Sequence, residues 1–461
     1  MSATLPTVSL RPRNSVVTSI VDATRSPILT ELSGELVTKV KTCLFDLIGC
    51  ALESRDLPWS REAVHLAQLS GVSRGAAIIG HPGLASFGDA AFANGVMGHG
   101  LVREDMHSAS ISHLGIVMIP TLLALAQYKK ITGRQFIEAA VLGYEVGAQI
   151  GRVVMDAQLA RIHRPTGITG PIGASAAASY LLGLSDAQMA SALGLSTNTT
   201  SGFNQWAHTG GSEMFFHPGF AARNAVTAAL LAEQGAFSSP DAIDGQAGLF
   251  AALHKLQAAS QFAMFSGSPE ILSVYHKPVP ACNFAQTATQ AALRVSLENS
   301  VQSQQIRAIR IRVPHSAAVY PGCDFSGPFE NILQAKMSIQ FNVVAALCNA
   351  GVTENNFSDL GAQELTRLLR LTTLEQDSLM TQAYPEKQGG EVFVTLQNGS
   401  ILHTRLDNVV NATFETVQAR FKDACVTSLG LKRANDLEAF ILNFELAENA
   451  GLLGPLLQPE S

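Results

Sequence analysis

Charge is scarce in this 461-residue chain: only 15% of its residues are Asp, Glu, Lys or Arg, and the net charge is −6 at pH 7. The 31 basic side chains are scattered rather than striped, so nothing here attracts nucleic acid. Long apolar runs are also missing. The nearest, Gly115 to Ala126, stops at Gln127, short of the roughly 18 residues that a bilayer span needs, and no membrane partner is expected. The six cysteines, Cys43, Cys50, Cys282, Cys323, Cys348 and Cys425, contain no Cys-x-x-Cys. Their wide spacing offers neither a disulfide framework nor a zinc site. Residues 1–15 hold two arginines but no apolar core or small-residue cleavage site, so no secretory signal is expected and the cytoplasm is the expected compartment. Dinucleotide, phosphate-loop, zinc-protease and nucleophile-elbow motifs are all absent.

What is abundant is apolar: 47% of the chain is hydrophobic and 38 residues are glycine. That excludes disorder, and the length predicts two or three domains. So little charge over so large a chain also predicts a homodimer, with apolar surface covered by a second copy.

Leu36, Val40, Cys43, Leu44, Leu47, Ile48 and Ala51 recur at three- and four-residue steps, one apolar helix face. Helices are likewise expected over Ile116 to Lys129, Phe136 to Val154, Gly173 to Gly183, Asp186 to Leu195 and Phe220 to Gln234. Pro171 and Pro218 are read as opening two of them, since proline at a first helical position sacrifices no hydrogen bond; such starts attract carboxylates. After about Ser266 the pattern changes. Ile309 to Val313 alternates as a strand, and Val392 to Leu396 and Ile401 to Leu406 flank Asn398-Gly399, a hairpin signal with two positive-φ positions. Helices are expected between the strands, at Asn283 to Leu297 and Lys336 to Ala350, and after them, at Ala412 to Cys425 and Ala434 to Glu445. The expected fold is therefore mostly α. A large all-helical domain occupies residues 1–267, a smaller α+β unit residues 268–408, and further helices in 409–461 could rejoin the first domain.

Fifteen residues, His99 to His113, hold three of the twelve histidines together with Arg103, Glu104 and Asp105. Histidine and carboxylate move protons near neutrality without a cofactor. His99, Asp105, His107 and His113 do not share a helix face, so no metal is expected there. Further polar groups lie in apolar or glycine-rich settings: Tyr144-Glu145, Arg161 to Arg164, Tyr275-His276-Lys277, and His315 to Tyr320.

Taken in order, these segments resemble the MmgE/PrpD family over most of the chain. The matching stretches begin with Asn94-Gly95, His99, Glu104-Asp105-x-His107 and Ser112-His113-x-Gly115. Gly143-Tyr-Glu-Val146, His163-x-Pro-Thr-Gly167, Gly170-Pro-x-Gly173 and His217-Pro-Gly-x-Ala-Ala222 follow. Lys277-x-x-Pro-x-Cys282, Gln334-Ala-Lys-Met-Ser338 and Asn398-Gly399 complete the set. The resemblance implies a cofactor-free and metal-free enzyme, dimeric, acting on small di- or tricarboxylates between a helical domain and a lid. It also implies roles: His113 and His163 as active-site histidines, Asp105 as the second acid of an Asp-Asp pair, Lys277 as a lid lysine and Tyr320 as a lid tyrosine. Arg103, His107, Tyr144 and His217 are the expected substrate contacts.

The departures are informative. Val102, Met106 and Met214 stand where the family's dehydratases and decarboxylases carry Asp, Thr and Lys, and Gln286 replaces a common histidine. Epimerisation needs only two proton-moving groups on opposite faces of one carbon, so it tolerates such losses best. The expected activity is therefore epimerisation of an imino- or amino-dicarboxylate, as in iminodisuccinate epimerase. His113 and Lys277 would act as opposed bases, His163 and Tyr320 as supporting donors, and Asp105 would orient a histidine. The alternatives are a tricarboxylate dehydratase or decarboxylase of the 2-methylcitrate or cis-aconitate type, and a member that has lost activity.

Overall fold

The computed structural model describes residues 15–69 and 71–460. The stretch expected to lack a secretory signal falls, but for Ser15, outside them. Helix α1 (Gly34–Ser54) starts where the Ser33 hydroxyl accepts the Leu36 N–H at 3.3 Å, satisfying one of the free donors of the first turn. It buries the apolar face expected of it. Helices α2 (Phe87–His99), α3 (Gly115–Tyr128), α4 (Gly133–Val154), α5 (Pro165–Leu182), α6 (Asp186–Thr197) and α7 (Glu213–Glu233) pack around it as one apolar core. Close packing decides Gly95: a Cβ there would lie 3.2 Å from the Gly219 Cα and 3.1 Å from the Ile116 carbonyl, where α2, α7 and α3 meet.

Two helices begin earlier than their prolines suggested. Pro171 and Pro218 lie inside α5 and α7 rather than at their starts. In α5 the helix-opening proline is Pro165, and the Gly167 carbonyl that Pro171 cannot serve accepts the Ser201 N–H at 3.1 Å instead. An outside donor has replaced the missing helical one, which removes most of the cost of an interior proline.

The chain then builds a second core. Helices α8 (Gln286–Asn299) and α9 (Ile339–Asn349) contribute to it together with a four-stranded mixed sheet. Strand β1 (Ile306–Val313) lies between β2 (Thr372–Gln376), which is parallel to it, and β3 (Gly390–Leu396), which is antiparallel; β4 (Ile401–Leu406) forms the edge. The β3–β4 hairpin exists, but only Gly399 has a positive φ, +86°. The Gly399 N–H reaches the Leu396 carbonyl, and the Leu396 N–H reaches Ser400. The connection is thus a three-residue loop with a left-handed glycine instead of a two-residue turn.

Helices α10 (Phe414–Leu429) and α11 (Leu431–Leu442) return to the first core, where Phe421 meets Phe45 of α1 with ring centroids 4.7 Å apart. The described residues are mostly α, with the four-stranded sheet and a separate two-stranded ribbon, Ala76–Ala77 against Leu84–Ala85. Its second core does not end at the lid. It continues onto Val102, Met106, Met214 and Phe215 of the helical part, and the site lies in that seam.

Candidate active site

After α2 the chain folds back on itself before α3 begins, burying an unusual number of polar side chains. Glu104 is at their centre. Its Oε1 lies 2.7 Å from His99 Nδ1, 3.0 Å from His113 Nδ1 and 3.9 Å from Lys277 Nζ, and all four residues are buried. Burial pushes the Glu104 carboxyl upward, yet Lys277 and the two rings outweigh it and hold the pKa well below the usual carboxylate range.

His113 is neutral, because burial and the Lys277 charge push its pKa down to about 3. Its Nδ1 faces two acceptors, Glu104 Oε1 and the Asp105 carbonyl, the latter at 3.0 Å. The ring proton therefore sits on Nδ1, and Nε2 keeps its lone pair. His99 follows the same logic, with its pKa lowered by burial. It gives Nδ1–H to Glu104, while Nε2 accepts Arg164 Nη2 at 3.0 Å. Arg164 in turn reaches the Tyr320 hydroxyl at 3.4 Å. Burial pushes that phenol up to about 12, so it stays protonated.

His113, Arg164 and Tyr320 converge on one small cavity, which Cys282 and Asn283 also line. Its remaining walls are apolar: Val102, Met106, Ile111, Met214, Phe284 and Met337. Val102, Met106 and Met214, three of the four positions expected to depart from the resembled family, thus all face the cavity. Its volume is about 20 Å³, room for a single water. A larger outer cleft, about 470 Å³, shares Tyr320 and Met337 with it and lacks His113 and Arg164. We take that cleft as the approach and the small cavity as the chemical centre.

The other expected site residues divide sharply. His163 is half-buried, lies against the exposed ring of Phe203, and borders a separate groove with Asp156 and Lys255. Its neighbour Arg164 points inward instead. Both are extended (φ −99°, ψ 148° and φ −80°, ψ 106°), and consecutive side chains of an extended segment face opposite ways. Asp105 does not orient His113 through its carboxylate. That group accepts the Tyr144 hydroxyl at 2.5 Å and the Gly115 N–H at 3.0 Å, so Tyr144 is a structural partner and not a substrate contact. His107 is committed at both nitrogens, to Ser110 and to Glu270, which Arg152 also pairs. Arg103 forms a two-pronged pair with Glu53. His217 is closer to the centre: its buried Nδ1 has no partner, and burial with the nearby Arg164 charge lowers its pKa to about 3. It does not line the cavity.

Lys277 is fully buried behind the wall, donating to the Val102 and Ala281 carbonyls. It shares Glu104 with His113, which is not the arrangement of two bases facing each other across a substrate. Glu104 and Arg164 were given no site role from sequence, although each lies one residue from a residue that was, Asp105 and His163; His99 was named only within the histidine-rich segment and its candidate ligand set. Among the described residues, no group of three or more His, Cys, Asp or Glu could hold a metal ion, and no helix is long and apolar enough to cross a membrane.

Known proteins agree with this architecture. The chain is 29% identical over 214 residues to the cis-aconitate decarboxylase-like protein oryM of Aspergillus oryzae, covering 45% of this chain and 44% of that protein. It is 29% identical over 212 residues to cis-aconitate decarboxylase of Aspergillus terreus, covering 44% and 43%. These matches span less than half of either fungal relative. Cis-aconitate decarboxylase of Homo sapiens is 25% identical over 393 residues, covering 81% of this chain and 79% of that protein. The MmgE/PrpD N-terminal domain matches residues 19–261 and the MmgE/PrpD C-terminal domain matches 279–446. The chain belongs to the MmgE/PrpD family.

Proposed function

We propose that this chain is an acid–base lyase that removes CO2 from a small unsaturated di- or tricarboxylate. The observation that carries this reading is the convergence of one guanidinium, one neutral imidazole and one protonated phenol on a cavity whose other walls, Cys282 and Asn283 aside, are apolar. Arg164 and Tyr320 hold a retained carboxylate. The second carboxyl group enters among Val102, Met106 and Met214, where no cation lines the wall. Such surroundings favour its protonated form. That proton passes through His113 Nε2 as CO2 leaves: with its pKa held at about 3 the ring relays the proton rather than storing it, and Glu104 beside Nδ1 stabilises the imidazolium while it lasts.

The unpaired carboxylate then breaks its C–C bond and leaves as CO2. The electron pair delocalises into the double bond conjugated with the carboxylate on Arg164. The imidazolium returns its proton to carbon, so the acid becomes CO2 and a C–H bond with no net proton change. The relatives named as cis-aconitate decarboxylases support this choice over the epimerase. So does the position of Lys277, which lies behind the wall and does not line the cavity.

The working unit we propose is a homodimer in the cytoplasm, whose lid spans residues 268–408. Light scattering tests the dimer; a monomer mass near 48.8 kDa would count against it. The reaction is tested by proton NMR and CO2 release with cis-aconitate and smaller unsaturated dicarboxylates in D2O. A product lacking one carboxyl and carrying one deuterium supports the proposal. Deuterium entering beside a carboxylate without loss of mass would mean an epimerase, and loss of water a dehydratase. No turnover across the panel would favour a member that has lost activity.

A further inference from the structure

Lys277 and Lys336 are both fully buried, and neither lines the cavity. Burying an ammonium is costly unless every proton finds a partner, so their partners matter. Lys277 Nζ donates to the Val102 carbonyl and, at 3.3 Å, to the Ala281 carbonyl. Lys336 Nζ donates to the Leu101 carbonyl at 3.1 Å and the Pro280 carbonyl at 3.3 Å. Leu101 and Val102 form the turn that ends α2; Pro280 and Ala281 belong to the lid segment before α8. Two consecutive carbonyls of one wall are therefore bridged to two consecutive carbonyls of the other, one ammonium per bridge. Each bridge has a counter-charge: Glu104 at 3.9 Å from Lys277, and Glu354 at 2.6 Å from Lys336, whose ammonium also lies over the Phe357 ring.

We propose that these two ammonium groups are the latch that closes the lid over the reaction cavity. The bridged turn carries Val102 into the cavity wall, and the bridged lid segment leads directly into Cys282, Asn283 and Phe284 on the facing wall. A cavity with room for one water cannot admit a carboxylic acid while both bridges hold. The turn is also strained. Val102 has φ +58°, a region that β-branched residues rarely enter, so the bridges hold a conformation the backbone would otherwise leave. Opening trades carbonyl partners for water, which makes the latch reversible. The inference does not depend on which reaction the cavity carries.

Cys282 reports the opening, because it lines the cavity whereas Cys43 and Cys50 are buried within α1. The experiment is pulse alkylation of the full chain with iodoacetamide, read per cysteine by peptide mass spectrometry. Lys336→Met removes one bridge. Glu354→Gln keeps the ammonium, removes only its partly exposed counter-charge, and decides the matter if the first variant does not fold. Both are expected to raise Cys282 labelling selectively, Lys336→Met by about tenfold, the scale of one lost charged hydrogen bond. Glu354→Gln should give a smaller rise in the same direction. Unchanged Cys282 labelling in folded variants would overturn the latch. So would labelling of Cys282 that rises only in step with Cys43 and Cys50, which would indicate general loosening.

Discussion

Arg164 Nη2 stands 3.0 Å from His99 Nε2, and the opposite nitrogen of that ring meets Glu104 at 2.7 Å. The guanidinium that lines the cavity is thus held by a histidine that does not, and that histidine is fixed by the carboxylate which also fixes His113. One buried acid sets both halves of the site.

Arg164→Met should leave the fold intact and remove the anchor for the retained carboxylate. Losing a hydrogen bond to a charged group costs about 1.5–3 kcal/mol, so kcat/KM should fall by roughly ten- to a hundredfold, expressed mainly in KM. Steady-state kinetics decides this, and an unchanged KM would remove Arg164 from substrate binding.

His113 and His163 separate the geometry from the sequence pattern. His113→Ala should lower turnover by about a hundred- to ten-thousandfold, the usual scale for a proton-transfer group. His163→Ala, altering a half-buried ring beside Phe203, should change turnover less than about threefold. The reverse ranking would restore His163 to the site.

Lys277→Met should weaken the protein as well as its activity. Removing one member of a buried charge pair costs about 3–5 kcal/mol, and Glu104 would lose the counter-charge that keeps it ionised. Urea denaturation should register the loss directly. An inactive variant of full stability would instead identify Lys277 as a group that touches substrate.

His217 should contribute to acid sensitivity. Its folded pKa, about 3, lies below the ordinary 6.5, so between those values the unfolded chain binds a proton that the folded chain does not. Its stabilising contribution is complete above about pH 6.5 and is lost as pH falls toward 3. His217→Gln should flatten the fall in urea midpoint from pH 7 to pH 5 relative to the parent chain. Parallel curves would mean that the ring is not held neutral.

Turnover should survive exhaustive dialysis against a strong chelator, since the proposed steps run through His113, Glu104, Arg164 and Tyr320. A loss of rate restored by one particular divalent ion would require a different chemistry.

Sequence by itself determined the elements and much of the neighbourhood. Apolar residues at helical spacing in α1, alternation in β1 and the Asn398-Gly399 turn are local properties, and local propensity with one-sided burial is enough to produce them. The same holds for the richness of His99 to His113 in proton-moving groups and for the apolar Val102, Met106 and Met214. Sequence did not decide which of two adjacent polar residues enters the site. Arg164 over His163 follows from an extended segment, in which consecutive side chains face opposite ways. Glu104 and Asp105 are both buried, and the fold turns Glu104 to His99 and His113 and Asp105 to Tyr144. The helix start at Pro165 was likewise tertiary: the interior Pro171 became tolerable once Ser201, from outside the helix, supplied the missing donor. Lys277 is the clearest case. Its sequence setting suited a base, but a buried ammonium takes whatever acceptors the fold places within reach, and here these are the carbonyls of two walls that meet only in the folded protein.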